Sequence, residues 1–419
     1  MAALVLAIIL ISACGSPESS SGAGSKTLEA APMRPVRAVP LSAGGPEPPT
    51  RFYLVLGGDV MLQEQIHEIA RQRGQGDLAR GYAWFLHALE PLLEDLRSRG
   101  EVGFVVNLES PVATERKEPL SFPPRFNGPP EALEGLALAG VDGVTVANNH
   151  ALDQGRSGLV ETLENARRAG LLAAGGGTDR ARARAPMILG TSVRVELLAY
   201  YLRPRHKGEP SKGPVIAILD QSSLDEVRAA RDRADAVVVT VHWVGEFAQS
   251  PRDELVAWAE SLVRAGADAV VCHGPHVLGP AGIVETPAGR QALVAYSLGN
   301  LLSNMGWEVY PAAALEPGKD SAQRVEARQE ALAVLEFTKP SETVLTGVSL
   351  VPVWLMDNRY AAYRKGGGPR LIYPLPLPNC RLPDPVPCFP ASRPGECEAL
   401  ATTLEQLVER PTFSPFCPP

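Results

Sequence analysis

Arg51-Phe-Tyr-Leu-Val-Leu-Gly-Gly-Asp-Val-Met-Leu62 is the stretch of this 419-residue chain from which the fold is read. Five apolar residues, Phe52–Leu56, run into a glycine pair and then an aspartate. That is the pattern of a buried strand delivering an acid at its carboxyl end. The arrangement recurs along the chain. Val102–Val106 leads to Asn107-Leu108-Glu109, and Val144–Ala147 leads to Asn148-Asn149-His150. Ala236–Val241 leads to His242-Trp243, and Ala269–Cys272 leads to His273-Gly274-Pro275-His276. Helical patterns lie between them, at Met61–Arg73, Trp84–Arg99, Gly158–Ala169, Leu224–Arg233 and Arg252–Ala265. The alternation predicts an α/β fold with a largely parallel sheet and helices on its faces. Polar groups at successive strand ends of such a sheet converge on one site. Pro186–Leu189 with Val193–Tyr200, and Gln291–Tyr296 with Ala331–Phe337 and Thr343–Val351, read as antiparallel or edge strands. A layered sandwich of two sheets accommodates both kinds.

The formal net charge of −7 argues against a nucleic-acid partner, which requires a basic face. Ala2–Ile11 is apolar but too short to span a bilayer. Ile11-Ser12-Ala13-Cys14 reads as the end of a lipoprotein-type signal peptide, with Cys14 as the lipidation site. No Lys or Arg precedes the apolar stretch, so a plain signal peptide is the alternative. Residues 15–50 are rich in Ser, Gly and Pro and read as a flexible tether. The expected protein is therefore exported and lipid-anchored at the cell envelope. Residues 51–355 form the expected main domain. Residues 356–419 form a Pro- and Cys-rich extension with one short helix at Glu396–Glu409. Cys380, Cys388, Cys397 and Cys417 lie in that extension without a Cys-x-x-Cys, which favours two disulfides, in any of three pairings, over a zinc knuckle. Cys272 reads as a small buried residue.

Each cluster has a functional and a bland reading. Asp59 is a ligand-facing acid freed by a sharp turn at Gly57-Gly58, or a turn or capping residue. Asn107 and Glu109, two apart on a strand, share a face; taken alone, Glu109 is more simply a loop acid. Asn148-Asn149-His150 is the sharpest signal, with Asp153 placed to hold the imidazole's second nitrogen. His242 follows five consecutive β-formers and is either a ligand or a satisfied core histidine, with Trp243 and Glu246 near enough to pack and orient it. The Gly274-Pro275 loop can aim His273 and His276 at one point. Four of the seven histidines lie in these clusters, which favours a metal centre. Asn300 follows Ala295–Leu298 at a further strand exit and could brace it. No Gly-x-Ser-x-Gly elbow or P-loop is present.

The order of these motifs resembles the CapA family of poly-γ-glutamate capsule biosynthesis proteins, within the calcineurin-like metallophosphatase superfamily. The matching stretches are Gly58–Leu62, Asn107–Val112, Ala147–Asp153 with Gly155, His242-Trp243 with Glu246-Phe247, Gly266–Asp268 through Pro275–Leu278, and Tyr296–Asn300. The resemblance implies a four-layer αββα sandwich of the metallophosphatase type, here with a disulfide-rich C-terminal extension. It implies one or two divalent metals (Mn, Fe or Zn) held by Asp59, Glu109, Asn149, His242, His273 and His276. His150 matches the superfamily's catalytic histidine, with Asp153 behind it. Asn107, Asn148, Trp243, Glu246 and Asn300 fall to substrate contact or support of the ligands. Met61 stands where a full metallophosphoesterase has His, and Asn107 and Glu109 stand where its second motif carries Asp; the CapA group shares both features. Val244 and Cys272 occupy positions where that group commonly has Gly.

The implied activity is metal-dependent hydrolysis by a surface-anchored protein of poly-γ-glutamate capsule or related envelope-polymer synthesis. The substrate is an acidic polymer or a phosphoester, and a membrane synthetase or export apparatus is the implied partner. The alternatives are a non-catalytic accessory subunit of a capsule synthesis and export complex, and a secreted phosphodiesterase.

Overall fold

The computed structural model describes residues 50–114, 125–203, 213–286, 289–305, 327–339, 344–357 and 371–376. Cys14, Cys380, Cys388, Cys397, Cys417, the 15–49 part of the tether and the Glu396–Glu409 helix lie outside them.

In chain order the strands are β1 (Thr50–Val60), β2 (Glu101–Leu108), β3 (Gly143–Thr145), β4 (Leu172–Ala174), β5 (Gly176–Gly177), β6 (Met187–Leu189), β7 (Val195–Leu202) and β8 (Val215–Ile216). They continue with β9 (Ala236–Trp243), β10 (Ala269–His273), β11 (Ala281–Glu285), β12 (Gln291–Ala295), β13 (Asn300–Leu302), β14 (Gln329–Lys339), β15 (Leu345–Asp357) and β16 (Ile372–Pro376). The helices are α1 (Glu64–Gly74), α2 (Leu78–Ala83), α3 (Glu90–Arg99), α4 (Pro130–Leu138), α5 (Gly155–Arg168), α6 (Arg180–Ala183), α7 (Gln221–Arg231) and α8 (Asp253–Ala265).

Two sheets face each other. The first runs β16-β15-β14-β1-β2-β3-β4, with β13 also paired to β1, and the second runs β11-β12-β10-β9-β7-β6. β1 to β4 are mutually parallel, as are β7, β9, β10 and β12. Antiparallel strands close the edges: β14 to β16 on one sheet, β6 and β11 on the other. The prediction for the later strands therefore holds for β14 and β15 and for β12 against β11, while on its other side β12 runs parallel to β10, in the second sheet rather than with β14 and β15. β16 lies within residues 356–419, the stretch read as an extension, and completes the first sheet.

Three separate apolar cores define four layers. Tyr53, Val55, Phe104 and Val106 meet Ile66, Phe85, Leu133 and Leu159 from the helices on one outer face. Phe52, Leu54, Leu56 and Val105 meet Leu197, Val238, Val271 and Leu293 between the sheets. Val237, Val239 and Val241 meet Leu224, Val227, Leu255 and Leu262 of α7 and α8 on the other outer face. The strict alternation along β1 and β9 sends neighbouring residues into different cores. β9 is buried along its whole length, as expected of a parallel strand covered on both faces. Each buried Val or Leu contributes roughly 1.5–3 kcal/mol relative to exposure, so a one-residue slip of this strand would be strongly disfavoured.

Gly57 and Gly58 do not form the sharp turn read from the sequence, because β1 continues through them to Val60. Their role is close approach: a Cβ on Gly58 would lie 2.1 Å from the carbonyl oxygen of Gly299. The β1–β2 register breaks between Leu56 and Asp59, and this re-aims the aspartate without a turn. The span read as one helix over Trp84–Arg99 begins as a 3₁₀ segment, Trp84–Leu89, and becomes α3 at Glu90, where Pro91 sits in the first turn.

Candidate metal centre

Register alone assembles the site. In the first sheet Asp59 lies beside Asn300 on one side and Asn107 on the other, with Thr145 next to Asn107. In the second sheet His242 lies between Tyr201 and His273. Apart from Asn300, which opens β13, both rows are at the carboxyl ends of parallel strands, where open α/β sheets bind their ligands. One row supplies carboxylate and amides, the other imidazoles. Glu109 follows β2 directly, and its N–H donates to the carbonyl of Val60 at 2.9 Å.

Asp59, Glu109 and His242 each offer a donor atom within 4.8 Å of the other two, and all three are buried. His242 Nε2 lies 3.5 Å from Glu109 Oε1. His276 Nδ1 lies 3.2 Å from Asp59 Oδ2 and 3.8 Å from Glu109 Oε2, and His273 Nδ1 is 3.8 Å from Asp59 Oδ1. The amides hold this set in place. Asn107 Nδ2 donates to Asp59 Oδ1 at 2.7 Å and lies 3.2 Å from His242 Nδ1. Thr145 Oγ1 and Asn148 Nδ2 donate to Asn107 Oδ1, which fixes the direction of that amide. Asn300 Oδ1 is 3.0 Å from His276 Nδ1.

The loop between the two histidines is tightly constrained. Gly274 has φ 112°, and a Cβ there would lie 2.1 Å from the Trp243 carbonyl oxygen and 2.9 Å from His242 Nε2. Its N–H donates to Asp59 Oδ2 at 3.2 Å. His276 itself has φ 62°, a conformation rarely taken by a side-chain-bearing residue.

The electrostatics fit a cation. Burial and then the Asp59 charge push Glu109 well above the usual carboxylate range. Burial also raises Asp59, but the hydrogen bond and charge of His276, with His242 and His273, outweigh it and hold Asp59 low. Burial drives His242 down to about 3 and lowers His273. Burial works against charge on His276 too, yet Glu109 and Asp59 raise it to about 9. Both oxygens of Glu109 and Nδ1 of His273 are buried without a hydrogen-bond partner. An unpartnered buried carboxylate is costly unless something positive meets it. Carboxylate oxygens with imidazole nitrogens suit a borderline divalent ion such as Zn, Mn or Fe. Asp59, Glu109 and His242 would hold it, with His273 and His276 beside them.

His150 and Asp153 stand together, apart from the imidazole row. His150 Nδ1 is 2.9 Å from Asp153 Oδ2, and the side chains are 12% and 14% exposed. The Phe126 ring packs against the imidazole at 4.5 Å, and its N–H donates to the same Asp153 oxygen at 2.8 Å.

Three predicted residues lie elsewhere. Asn149 is exposed, and no described contact joins it to Asp59 or Glu109. Asn148 is the amide turned inward, donating to the carbonyl of Leu108 and accepting from the N–H of His150. In the Asn148-Asn149 pair the tight chain direction after β3 faces only the first side chain into the cluster. Trp243 faces the α8 core, since successive strand residues alternate, and its Nε1 donates to Tyr296 O at 3.0 Å. Only its carbonyl borders the site. Glu246 is exposed in the turn after β9 and does not orient His242. Sequence reading also missed Thr145, Phe126 and Tyr201; Thr145 and Tyr201 occupy strand positions next to Asn107 and His242, visible only once the register is known.

Asp and Glu at one sheet's edge, His at the other's, and an oriented His–Asp pair beside them define a buried candidate metal centre. Residues 53–305, more than half of the chain, match the model of the bacterial capsule synthesis protein PGA_cap, and the chain belongs to that family. Among relatives, the capsule biosynthesis protein CapA of Bacillus anthracis is 25% identical over 269 residues, covering 61% of each chain. The PGA biosynthesis protein CapA of Bacillus subtilis is 26% identical, over 60% of this chain and 63% of its own. A probable polyglutamine synthesis accessory protein of Mycobacterium tuberculosis is 25% identical over 62% of this chain and 76% of its own. The chain thus spans less than two thirds of the length of the two Bacillus relatives. A crystal structure described as a novel phosphatase, from Mycoplasma pneumoniae, aligns at TM-score 0.43 and 14% identity, over 75% of this chain and 96% of its own. That likeness is too slight to carry an argument.

Proposed function

We propose that this protein is a metal-dependent hydrolase of poly-γ-glutamate or a related acidic envelope polymer, working in capsule synthesis at the cell envelope. The observation that carries the reading is Glu109, whose two buried oxygens have no partner beside Asp59 and His242. A bound divalent ion would supply Lewis acidity and a water acidified toward neutral pH. The chain's own residues do the rest. Asn107 and Asn300 keep Asp59 and His276 in one orientation. Asp153 fixes His150 through Nδ1, leaving Nε2 free to pass a proton to the leaving amine or alkoxide of a bound substrate. Burial of both carboxylates excludes bulk water, which strengthens every charge interaction at the site.

The relatives' names motivate the polymer and the capsule setting. Among the described residues, no helix is long and apolar enough to cross a membrane, so envelope attachment rests on the lipidation read at Cys14. A membrane synthetase or exporter is the proposed partner. A second reading, a non-catalytic accessory subunit, has support in the description of the mycobacterial relative as an accessory protein.

Elemental analysis of the purified chain beside an Asp59→Ala/His242→Ala variant tests the reading. About one to two equivalents of Mn, Fe or Zn are expected in the parent and none in the variant. Release of glutamate oligomers from poly-γ-glutamate, abolished by chelator and by His150→Ala, is the expected activity. A metal-free parent that takes up none on reconstitution ends the hydrolase reading and leaves the accessory one.

A further inference from the structure

Residues 126–128 touch the His150–Asp153 pair and have no part in the chemistry proposed above. Phe126 meets the pair in two ways. Its N–H donates to Asp153 Oδ2 at 2.8 Å, the same oxygen that lies 2.9 Å from His150 Nδ1. Its ring packs against the imidazole, with centroids 4.5 Å apart and planes tilted by 51°. The segment is itself held at each residue. Gln154 Nε2 donates to the Phe126 carbonyl at 2.9 Å. Asn127 pairs with Ala113 in both directions: Oδ1 accepts from the Ala113 N–H at 2.9 Å, and Nδ2 donates to the Ala113 carbonyl at 2.8 Å. His67, buried on α1, has Nε2 3.1 Å from the Asn127 carbonyl, and its Nδ1 faces the Tyr82 hydroxyl. The Gly128 N–H donates to the Pro111 carbonyl at 2.8 Å.

Residues 110–113, on the far side of these bonds, follow Glu109 directly. They are anchored in turn. Ser110 Oγ accepts from the Leu62 N–H, while the Val112 N–H and carbonyl bond to Thr162 and Asn165 of α5. α5 begins at Gly155, just after Asp153 and Gln154. Hydrogen bonds therefore close a ring from Glu109 through 110–113 and 126–128 to Asp153, and back along α5. Asn148 adds a second tie, between the Leu108 carbonyl and the His150 N–H. A carboxylate oxygen bonded to a fixed backbone donor is no longer free to swing. His150 must then present Nδ1–H to that oxygen, which leaves Nε2 for the transferred proton. Rotation of the imidazole about its Cβ–Cγ bond would carry its edge out of the ring plane, toward the phenyl group packed against it.

We propose that residues 126–128 form a positioning clip for the proton-transferring pair, with Phe126 as its principal positioning residue. The Phe126 N–H orients Asp153, and the Phe126 ring holds the His150 imidazole, so that Nε2 alone is offered to substrate. Gln154 and Asn127 keep the clip at a fixed place relative to Glu109. The inference rests on the hydrolase reading for its effect on rate, but not for its effect on the imidazole.

The test reads the His150 tautomer by nitrogen NMR of the full chain carrying labelled histidine, with Zn added. The His150 signals are assigned by their loss in His150→Gln. The parent is expected to show the Nδ1–H tautomer alone. Phe126→Ala should populate both tautomers and Phe126→Tyr, which keeps a ring, should restore the single one. Gln154→Met, which deletes the donor to the Phe126 carbonyl, should fall between. In turnover of poly-γ-glutamate, Phe126→Ala is expected to lower kcat by about 10–100-fold with KM within about twofold, and Phe126→Tyr to recover most of the loss. Metal content and melting temperature check that each variant is folded. A parent-like tautomer in Phe126→Ala overturns the proposal whatever the rate, as does a parent in which Nε2 carries the proton. A tautomer shift with parent-like kcat in an active chain also overturns it. A chain that never turns over polymer but shows the ring-dependent tautomer keeps the clip and loses the hydrolase reading. Turnover with tautomer and kcat unmoved in Phe126→Ala does the reverse.

Discussion

Arg184 and Glu109 are both charged side chains buried in the fold, and their surroundings differ in kind. Arg184, 7% exposed at its side chain, has its donors filled. Nε donates to Glu226 at 2.5 Å, Nη1 to the carbonyl of Ile218 at 2.8 Å, and Nη2 to Asp220, Ser222 and Ser223. That cluster ties α6 to the start of α7 and is complete as it stands. Glu109, fully buried, has no hydrogen bond to either oxygen. The difference teaches how to separate architecture from chemistry among buried polar groups. A satisfied cluster rigidifies, whereas an unsatisfied one keeps valence for something else.

The sharpest way to break the comparison is Glu109→Gln. Removal of a ligand should cost metal affinity more than the roughly 10–100-fold typical of residues behind the ligands. The metal-free variant should melt no lower than metal-free parent, because a neutral amide is less costly to bury than a carboxylate. Competitive chelator titration and melting curves measure both. Parent-like metal affinity would mean the orphan acid is not a ligand, and the comparison would fail.

Next in size is His150→Ala. A proton-transferring residue contributes about 10²–10⁴ in rate, so turnover should fall in that range with metal content intact. Loss of metal along with rate would make His150 part of the metal cage.

Arg184→Met sharpens the other side. Breaking a buried pair costs about 3–5 kcal/mol. Asp220 and Glu226 are about a third exposed, and solvent screening reduces the expected loss to about 2 kcal/mol. Urea unfolding reads it, and metal affinity should not move. A shift in metal affinity would couple the two clusters.

The smallest effect is expected at Glu330, which is also buried with both oxygens unpartnered but outside the ligand group. Burial, then Asp59, raises its carboxyl well above the ordinary 4.5. The folded state therefore holds this proton after the unfolded chain has lost it. The stabilising contribution is present below about pH 4.5 and is lost as pH rises toward the folded value. Glu330→Gln should match the parent at pH 4 and melt a few degrees higher at pH 8, where 1 kcal/mol is about 2–4 °C for a domain of this size. Equal melting temperatures at pH 8 would mean that Glu330 has found a partner.

Much of the site was legible before any coordinates. Asp59, Glu109, His242, His273 and His276 each follow an apolar run, and strand ends are where open sheets collect function. The His150–Asp153 pair was legible from its spacing. Asn149, Trp243 and Glu246 were not, because sequence adjacency to a ligand does not give the direction of a side chain. Trp243 follows His242 on a strand and so points to the opposite face. The placement of β12 between antiparallel β11 and parallel β10 was obscured because a short apolar strand carries no mark of which strands flank it.

The sequence by itself determined the alternation of strands and helices, the four-layer expectation through its family resemblance, and the residue types at the strand ends. These are local properties, set by periodicity and by chemistry written along the chain. Only the tertiary structure decided which strands are neighbours and at what register. That step set Asn107 and Asn300 on either side of Asp59 and left Glu109 without a partner. Those outcomes depend on contacts between residues far apart in sequence, which long-range packing alone selects.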